Sequence, residues 1–474
     1  MASRAVPRLE FMNEDQCRLI HDKALEVLRH TGVRVHHPEA RQLLKDAGAV
    51  ITDDTLVRIP PGPVEWALKR APSVVTLCSR GERTSRVRLG GEEVHFGPGS
   101  DCLTYMDPED GQVRPFKTRD LERLYRLVDR MDELSFVMSM GIPGDVEKGT
   151  STYRYQFALM LANTTKPIVF VSDNRADVEA IINMASTVAG GMDELRLNPT
   201  LLLYSEPTSP LQHSRTATEK LLYMAETAIP VVHSPAPIMG GTAPVTVAGG
   251  MVLGTAEVLS SLLIHQLKRP GAPFVYGTGL NHMDMKTTIS VYAAPEFQLS
   301  RLATADMARF YRLPSWGYAG HSDSKLMDQQ AAEDAFFSVM YALMTRTNLI
   351  HDVGYIESGI TTSPEMIVYT AECLSQLRHF LSGIPLDENS LAVDAINEVG
   401  PGGTFLTHDH TFKGFRWFWQ PRLQDRHQRE DWARLGEKSL GDRLKERTLE
   451  LMSEAAEAAE PLAEDVYDRI KELI

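Results

Sequence analysis

The chain has 474 residues, of which 43% are hydrophobic and 24% charged, a composition typical of a globular protein with a large buried core. Its formal net charge of −14, with Lys and Arg dispersed among acidic residues, argues against a nucleic-acid partner, because binding a phosphate backbone requires clustered positive charge. The four cysteines form no C-x-x-C pair, and the N-terminus lacks the apolar run of a signal peptide, so we expect a cytoplasmic protein with reduced thiols.

Residues 1–90 are predicted to form an N-terminal extension of helices followed by a β-meander. Apolar residues at helical spacing indicate helices over 15–30 and 38–47. Alternating residues indicate strands over 74–79 and 86–89, which lead through two glycines into the next region.

Residues 91–384 repeat one pattern eight times: a short apolar run of strand length, then turn-forming residues, then a helical pattern. The predicted strands are 93–96, 134–140, 167–171, 201–204, 230–233, 273–276, 314–318 and 348–352. Helices are predicted over 119–130, 177–188, 214–227, 252–266, 295–311 and 328–345. Eight such units predict an α/β fold of the (β/α)8 TIM-barrel type. The alternative is an open doubly wound sheet, although the turn 97–101 lacks the G-x-G-x-x-G spacing of its phosphate-binding loop.

Two further segments concern membrane association and contacts between subunits. The longest apolar stretch, 251–267, contains Glu257, His265 and Gln266, so it predicts a buried helix and no membrane association. Residues 385–474 are predicted to form a C-terminal helical extension that caps the barrel or joins subunits, and we expect a homo-oligomer.

In a (β/α)8 barrel, chemistry lies at the C-terminal ends of the strands. Ionisable residues directly follow four predicted strand ends: Asp101, Glu206, Asp323 and His351. Each of these four residues is either a ligand contact or an ordinary structural residue. Single histidines such as His233 are expected to be core residues.

A metal-dependent hydrolase is a weaker alternative. Such a barrel needs an H-x-H motif near the end of its first strand, but the pair His408 and His410 follows the eighth strand. The sequence also lacks an H-E-x-x-H motif, a G-x-S-x-G elbow and a Walker loop. We therefore expect no tightly bound metal in this chain.

Several long segments in matching order resemble the trimethylamine methyltransferase family. They are FGPGSDCLTYMDPEDGQVRPFKTRDL, SEPTSPLQH, APIMGGTAPVTVAGGMVLGTAEVLS, SDSKLMDQQAAEDA, NLIHDVGYIESG and VGPGGTFLTHDHT. The resemblance runs from about residue 95 to residue 418 and implies a barrel that transfers a methyl group from an amine to Co(I) of a corrinoid. Because the chain has no D-x-H-x-x-G cobalamin motif, we expect a partner protein to supply this corrinoid.

The archetype of the family uses pyrrolysine, whereas this chain contains only the twenty standard residues. It therefore resembles the branch without pyrrolysine, which acts on quaternary amines. The resemblance implies glycine betaine as substrate, giving dimethylglycine, with proline betaine, carnitine, γ-butyrobetaine and choline as alternatives. A barrel that only binds an amine or a corrinoid partner is an alternative of a different class.

A quaternary nitrogen already carries the charge of a good leaving group, so we expect catalysis by positioning, with no catalytic side chain. Aromatic rings are expected to hold the cation, and about two of five candidates should do so: Tyr105, Tyr204, Trp316, Tyr318 and Tyr355. The remaining predicted substrate-binding residues are Asp101, Glu206, His213, His351 and the turn glycines Gly240 and Gly241. The predicted corrinoid-binding residues are His321 and Asp323, with His321 a further candidate donor for a substrate carboxylate.

Overall fold

Eight parallel chain segments close into a barrel in the computed structural model, which describes residues 3–81, 86–457 and 460–474. The barrel strands are His95–Pro98, Ile168–Phe170, Leu201–Ser205, Val231–His233, Phe274–Val275, Trp316–Tyr318 and Leu349–Val353, and residues 134–140 fill the second position. The eighth strand pairs in parallel with the first, Leu349 opposite His95, which closes the ring. The predicted (β/α)8 barrel is confirmed.

The second position of the barrel differs from its prediction as a regular strand. Its parallel pairing is a single bridge between Val137 and Ile168. The backbone N–H of Ser135 donates to the carbonyl of Phe96 at 2.7 Å, so the segment still joins its two neighbours. Met140, at its end, has φ of 50°, which turns the chain out of extended geometry.

One helix follows each barrel position. These helices are Thr118–Arg130, Thr152–Asn163, Arg175–Ala189, Arg215–Thr227, Val247–Lys268, Pro295–Tyr311, Gln329–Thr345 and Pro364–Leu381, with the short Met192–Leu197 after the third. The six predicted helices appear with ends shifted by a few residues, and Thr152–Asn163 and Pro364–Leu381 are additional.

A β-hairpin closes the N-terminal end of the barrel. Its strands Val75–Cys78 and Arg86–Leu89 contribute Val75, Leu77, Val87 and Leu89 to the apolar cluster inside the barrel. The backbone N–H of Cys78 donates to the carbonyl of Pro199, just before the fourth strand. The opposite, C-terminal end is therefore the one at which a ligand can enter.

The rest of the N-terminal extension covers one side of the barrel. Its elements are Ser3–Ala5, Glu14–His30, Val33–Val35, Pro38–Asp46, Val50–Asp53, Leu56–Arg58 and Pro61–Arg70. Helices Glu14–His30 and Pro61–Arg70 pack against Val247–Lys268. Among the described residues, Val247–Lys268 is the one helix whose length and composition would suit a membrane span, but 72% of its most apolar window is buried inside the protein. It is the core helix that the sequence predicts.

Small sheets decorate the C-terminal ends of the strands. One contains Thr104–Met106, Val113–Pro115, Tyr355–Ile356 and Thr361–Thr362; another contains Ile238–Met239, Asn281–Met283 and Ser290–Val291. Gln212–His213 instead joins Val33–Val35 of the N-terminal extension. A 3-10 turn, Glu357–Gly359, completes these loops.

The C-terminal extension begins with strand Ile384–Leu386, which pairs with Ser3–Ala5. Its helical elements are Glu388–Leu391, Val393–Val399, Asp409–Gly414, Phe415–Trp417, Arg429–Arg434, Leu440–Glu454 and Glu464–Lys471. Leu440–Glu454 packs on Thr118–Arg130 and Pro364–Leu381, and Glu464–Lys471 on Arg175–Ala189. One continuous apolar cluster runs from Cys17 to Ile470, so both extensions share the core of the barrel.

Candidate active site

Four rings from three barrel strands meet at the C-terminal end of the barrel. The ring centroids of Trp316 and His351 lie 4.4 Å apart and nearly parallel, and Tyr204 lies 5.4 Å from Trp316 and 5.7 Å from His351. Tyr318 lies 4.4 Å from His351. These strands are parallel, so their ends bring side chains distant in sequence to one point. We call Tyr204, Trp316, Tyr318 and His351 the mouth cluster.

The mouth cluster has a buried floor and an accessible upper part. Trp316 is completely buried and His351 is buried, whereas Tyr204 and Tyr318 are half-buried. The hydroxyl of Tyr204 donates to the carboxylate of Glu206, and that of Tyr318 lies 3.1 Å from Oγ of Ser234. Two of the five predicted rings therefore present area to a ligand.

Glu206 gives this accessible part a carboxylate. The residue is exposed to solvent, but the protein around it removes enough hydration to raise the pKa of its carboxyl. The Tyr204 hydroxyl and the positive charge of Lys220 act in the opposite direction. An acidic group beside two tyrosine rings suits a positively charged ligand.

Asp352 contacts two histidines, His351 and His321. Its carboxylate lies 2.9 Å from Nδ1 of His351 and 3.4 Å from Nδ1 of His321. Burial alone would raise the pKa of Asp352, but the two imidazoles outweigh burial and lower it to about 2. Asp352 has φ of 82°, a backbone conformation that residues other than glycine rarely adopt and that concentrates at functional sites.

Three nitrogen atoms of the mouth cluster are buried without a hydrogen-bond partner among the described residues. They are Nε2 of His351, Nε1 of Trp316 and Nδ1 of His351, and the last of these lies 2.9 Å from the carboxylate of Asp352. Leaving a buried polar atom unpaired costs about 1–3 kcal/mol, so such atoms call for an explanation. A ligand with a hydrogen-bonding group would supply one.

Arg301 lies against the accessible ring of Tyr318. Its guanidinium carbon is 4.7 Å from the ring centroids of both Tyr318 and Phe297. It donates to the carbonyls of Thr278 at 2.5 Å and Leu280 at 2.8 Å. Burial lowers the pKa of Arg301 to about 10, so it stays charged, and it occupies one face of Tyr318.

Asp101 follows the first strand, as predicted from the sequence. It has φ of 55° and accepts a hydrogen bond of 2.6 Å from Oγ of Ser139. Burial raises the pKa of Asp101 to about 6, with the bond to Ser139 opposing the change. The described contacts do not join Asp101 to the mouth cluster.

The remaining two tyrosines of the predicted set are buried within the loops at this end of the barrel. Tyr105 is completely buried in the sheet of Thr104–Met106 and has Arg114 over its ring at 4.9 Å. Tyr355 is also buried, and its hydroxyl bonds to the backbone N–H and carbonyl of Ser100. Its ring lies where a side chain at Gly99 would stand, which explains the glycine there.

Three other predicted substrate-binding residues lie outside the described contacts of the mouth cluster. His213 is buried, with Nε2 2.8 Å from Oγ of Ser260, and its strand pairs with Val33–Val35. Burial lowers its pKa to about 4. The N–H groups of Gly240 and Gly241 donate within their own turn, to Ala243 and Ile238.

The predicted corrinoid-binding residues are also occupied within the protein. His321 is completely buried, with Nε2 3.1 Å from the carbonyl of Tyr292. Asp323 accepts from the N–H of Tyr292 at 2.9 Å and from Oγ of Ser358 at 2.7 Å. Both residues tie neighbouring loops of the mouth together.

Asp352 and Arg301 are the two functional candidates that the sequence analysis missed. Asp352 lies within the predicted eighth strand, where its turn out of the strand has no local signal beyond the glycine two residues later. Arg301 lies in the middle of a helix whose pattern alone gives it no special role. No group of three or more His, Cys, Asp or Glu side chains is arranged to hold a metal within residues 3–81, 86–457 and 460–474.

The family profile described as trimethylamine methyltransferase (MTTB) matches residues 1–474. The chain belongs to the trimethylamine methyltransferase family. This confirms the resemblance predicted from the strand-end segments. One relative in this family, a trimethylamine methyltransferase of Desulfitobacterium hafniense, is 31% identical over 463 residues, covering 98% of this chain and 92% of that protein.

Another relative is a glycine betaine methyltransferase of the same species. It is 28% identical over 432 residues, covering 90% of this chain and 89% of that protein. Among solved structures, the monomethylamine methyltransferase of Methanosarcina barkeri superposes with a TM-score of 0.57 at 11% identity, covering 94% of this chain and 89% of the other. At this identity the likeness concerns the fold, and it agrees with the barrel.

Proposed function

We propose that this protein transfers a methyl group from a quaternary amine, with glycine betaine the first candidate, to the Co(I) corrinoid of a partner protein. The product from glycine betaine is dimethylglycine. Family membership supports the reaction class, and the arrangement of the mouth cluster supports the charged amine.

The reaction balances without a proton transfer. The C–N bond breaks and its electron pair stays on nitrogen, so the cationic amine leaves as a neutral tertiary amine. The methyl carbon forms its new bond with the electron pair that the Co(I) acceptor supplies. The enzyme therefore has to orient one N-methyl group toward the open end of the barrel, and orientation alone accounts for large rate gains.

The accessible half of the mouth cluster suits the cationic end of the substrate. A quaternary nitrogen has no N–H group, so it is held by aromatic faces and negative charge. Tyr204 and Tyr318 present half-buried rings, and Glu206 adds a carboxylate beside Tyr204. Because Arg301 covers one face of Tyr318, the cation is expected on the Tyr204 side.

The buried half suits the anionic end of a betaine. Nε2 of His351 and Nε1 of Trp316 have no partner among the described residues. A tryptophan N–H is a donor only, and Nε2 of His351 donates to a carboxylate in the imidazolium form, whose charge the carboxylate of Asp352, 2.9 Å from Nδ1, balances. This pair of unpaired buried nitrogens next to an accessible acidic and aromatic surface is the observation that carries the proposal.

The corrinoid enters the proposal as the second substrate, brought to the mouth by its own protein. Glu206, Tyr204 and Tyr318 are accessible at this end of the barrel, while the hairpin closes the other end. His321 and Asp323 are proposed to act indirectly, since their polar atoms hold the loops around Tyr292.

The proposal is tested by titrating purified protein with betaines in a calorimeter and by identifying the product by NMR. Glycine betaine is expected to bind, and His351→Ala is expected to weaken binding about 10-fold, the loss of one or two hydrogen bonds to a charged group. Circular dichroism checks that the variant is folded. Unchanged affinity in a folded His351→Ala variant would remove His351 from the site.

A panel of proline betaine, carnitine, γ-butyrobetaine and choline distinguishes the alternative substrates. Choline is the informative member, because it keeps the quaternary nitrogen and lacks the carboxylate. Equal affinity for choline and glycine betaine would contradict a role for His351 and Trp316 in holding a carboxylate.

A further inference from the structure

A row of polar side chains lies behind the mouth cluster, on the outer face of three neighbouring barrel strands. Tyr204 packs against the apolar cluster inside the barrel, so the alternation of side chains along its strand turns Ser205 outward, toward the helices. Ser205 pairs with His233 of the next strand. The register with the preceding strand, continued by two residues, brings Ser172 alongside Ser205 as well.

Lys220 reaches this row from helix Arg215–Thr227, which packs on the strands that carry Ser205 and His233. Its Nζ donates to the carbonyl of Ser172 at 2.5 Å, and this is its one described hydrogen bond. Lys220 is only 9% exposed and forms no ion pair among the residues that the structure describes. We call Ser172, Ser205, Lys220 and His233 the polar layer.

The polar layer provides surroundings in which a buried ammonium is tolerated. Oγ of Ser172, Oγ of Ser205 and Nδ1 of His233 are buried without a partner within the described part of the chain. Such groups replace part of the hydration that burial removes, either directly or through ordered water. Because no carboxylate contacts the ammonium of Lys220, its charge acts on acidic groups at a longer distance.

Two acidic residues of the barrel mouth directly follow the polar layer. Asp173 comes after Ser172, Glu206 comes after Ser205, and both acids are exposed. Burial lowers the pKa of Lys220, and the carboxylates of Asp173 and Glu206 oppose that effect. Burial raises the pKa of Glu206, and the charge of Lys220 opposes that effect in turn. The ammonium therefore lies behind the two acidic strand ends.

We propose that Lys220 is a positioning residue that acts through Glu206, because its buried charge keeps the Glu206 carboxylate ionised for the cationic end of the substrate. This inference rests on the proposed function, in which Glu206 lies beside the quaternary nitrogen. The lysine is behind the strands and the amine is expected in front of them. The carboxylate then lies between two positive charges, which favours its ionised form.

The other groups around Glu206 are phenols. Tyr204 donates its hydroxyl to the carboxylate, and Tyr318 and Tyr292 lie within reach of its charge. Among the described residues, Lys220 is the one cation that acts on Glu206. Removal of this single charge should therefore change the ionisation of Glu206.

The first test is a double-mutant cycle on the unfolding of the full-length protein in urea, which needs no substrate. Lys220→Met removes the ammonium, and Glu206→Gln removes the carboxylate. At pH 8, Lys220→Met should change the unfolding equilibrium constant about 5-fold more in the presence of Glu206 than in the Glu206→Gln background. A lysine that only binds the carbonyl of Ser172 would give additive changes. If Lys220→Met does not fold, Lys220→Gln, which keeps an N–H donor, takes its place.

Lys268→Met is the matched control for the cycle. Lys268 is also a partly buried lysine, but it pairs with Glu39 at 2.7 Å. Its combination with Glu206→Gln should give additive changes in the unfolding equilibrium constant.

The second test is the pH dependence of choline binding, measured by calorimetry. Choline lacks a carboxylate, so the protonation of His351 should affect the wild type and the variant alike. Without Lys220 the pKa of Glu206 should rise, and protonation then removes the charge that holds the amine. Lys220→Gln should therefore raise the Kd about 10-fold at pH 6 and less than about 2-fold at pH 8.5.

The two tests separate this inference from the proposed function. Additive changes in the cycle would overturn the role of Lys220, and so would a Kd that rises equally at pH 6 and pH 8.5. Coupling between Lys220 and Glu206, together with no binding of choline or glycine betaine to the wild type, would support the electrostatic link and contradict the proposed function.

Discussion

Two buried carboxylates of this barrel lie in different environments. Asp352, at the end of the eighth strand, lies between His351 and His321, and these imidazoles lower its pKa to about 2 against the effect of burial. Glu257, in helix Val247–Lys268, accepts from Oγ of Ser209 at 2.8 Å and the N–H of Leu211 at 2.6 Å. Burial raises the pKa of Glu257 to about 7, because these two bonds do not offset the lost hydration.

The two environments indicate a positioning role for Asp352 and a structural role for Glu257. A buried charge is tolerated when an opposite charge accompanies it. Asp352 stays ionised, and its carboxylate contacts His351 of the mouth cluster. Glu257 holds a loop through two hydrogen bonds, and its raised pKa leaves it protonated below a pH of about 7. We expect the first to control the reaction and the second to control stability.

The largest expected effect follows from removing the charge of Asp352. Asp352→Asn keeps the size of the side chain and tolerates the positive φ, so the fold should persist. Loss of the carboxylate releases the ring of His351 and so misplaces the bound amine, and misplacement of reacting atoms can cost about 100-fold in rate. Methyl transfer to reduced cobalamin should therefore fall about 100-fold, with KM for the amine raised less than kcat is lowered.

Glu257→Gln is the control for this experiment, and it should retain activity within about 2-fold. Equal losses of activity in Asp352→Asn and Glu257→Gln would break the distinction between the two carboxylates.

The second prediction concerns the dependence of stability on pH. Glu257 has a pKa raised above that of the unfolded chain, so its contribution to stability is complete at low pH and is lost as pH rises through about 7. Between pH 5 and pH 8 the free energy of unfolding of the wild type should fall by about 2 kcal/mol more than that of Glu257→Gln. Urea unfolding at both pH values measures the difference, and parallel behaviour of the two proteins would contradict it.

The tyrosines at the barrel mouth also differ in exposure: Tyr204 and Tyr318 are half-buried, whereas Tyr105 and Tyr355 are buried. Tyr204→Leu removes an accessible ring, and a cation–π contact is worth about 0.5–2 kcal/mol. The Kd for a quaternary amine should rise about 10-fold by calorimetry. An unchanged Kd would place the cation away from Tyr204.

The smallest expected change is that of Tyr204→Phe, which keeps the ring and removes the hydroxyl that donates to Glu206. Its Kd for the amine should stay within about 3-fold of the wild type, since the aromatic face is retained. A loss as large as that of Tyr204→Leu would show that the hydroxyl, through Glu206, does the binding.

Much of the fold could be predicted because barrel strands are short, apolar and evenly spaced. The helix Thr152–Asn163 could not, since it is apolar on several sides and shows no stripe at helical period. The second barrel position was predicted as a strand, but the turn at Met140 leaves it with one bridge. Backbone turns of this kind depend on neighbours that the local sequence does not specify.

The site could be predicted only in part. Tyr204, Trp316, Tyr318 and His351 follow from the rule that strand ends converge. Whether a ring at such a place is accessible depends on contacts across the fold, and Tyr355 is sealed by the backbone of Ser100, which lies 255 residues away in sequence. Arg301 reaches the site from a helix, a direction that strand ends do not indicate.

The proposed mechanism is that a fixed positive charge on nitrogen lets this protein transfer a methyl group by positioning alone. The most direct test follows the absorbance of Co(I) cobalamin mixed with the protein and either glycine betaine or trimethylamine. Methylcobalamin is expected to form with glycine betaine, or with another quaternary amine, and not with trimethylamine. Transfer from trimethylamine, or no transfer from any quaternary amine tested, would contradict it.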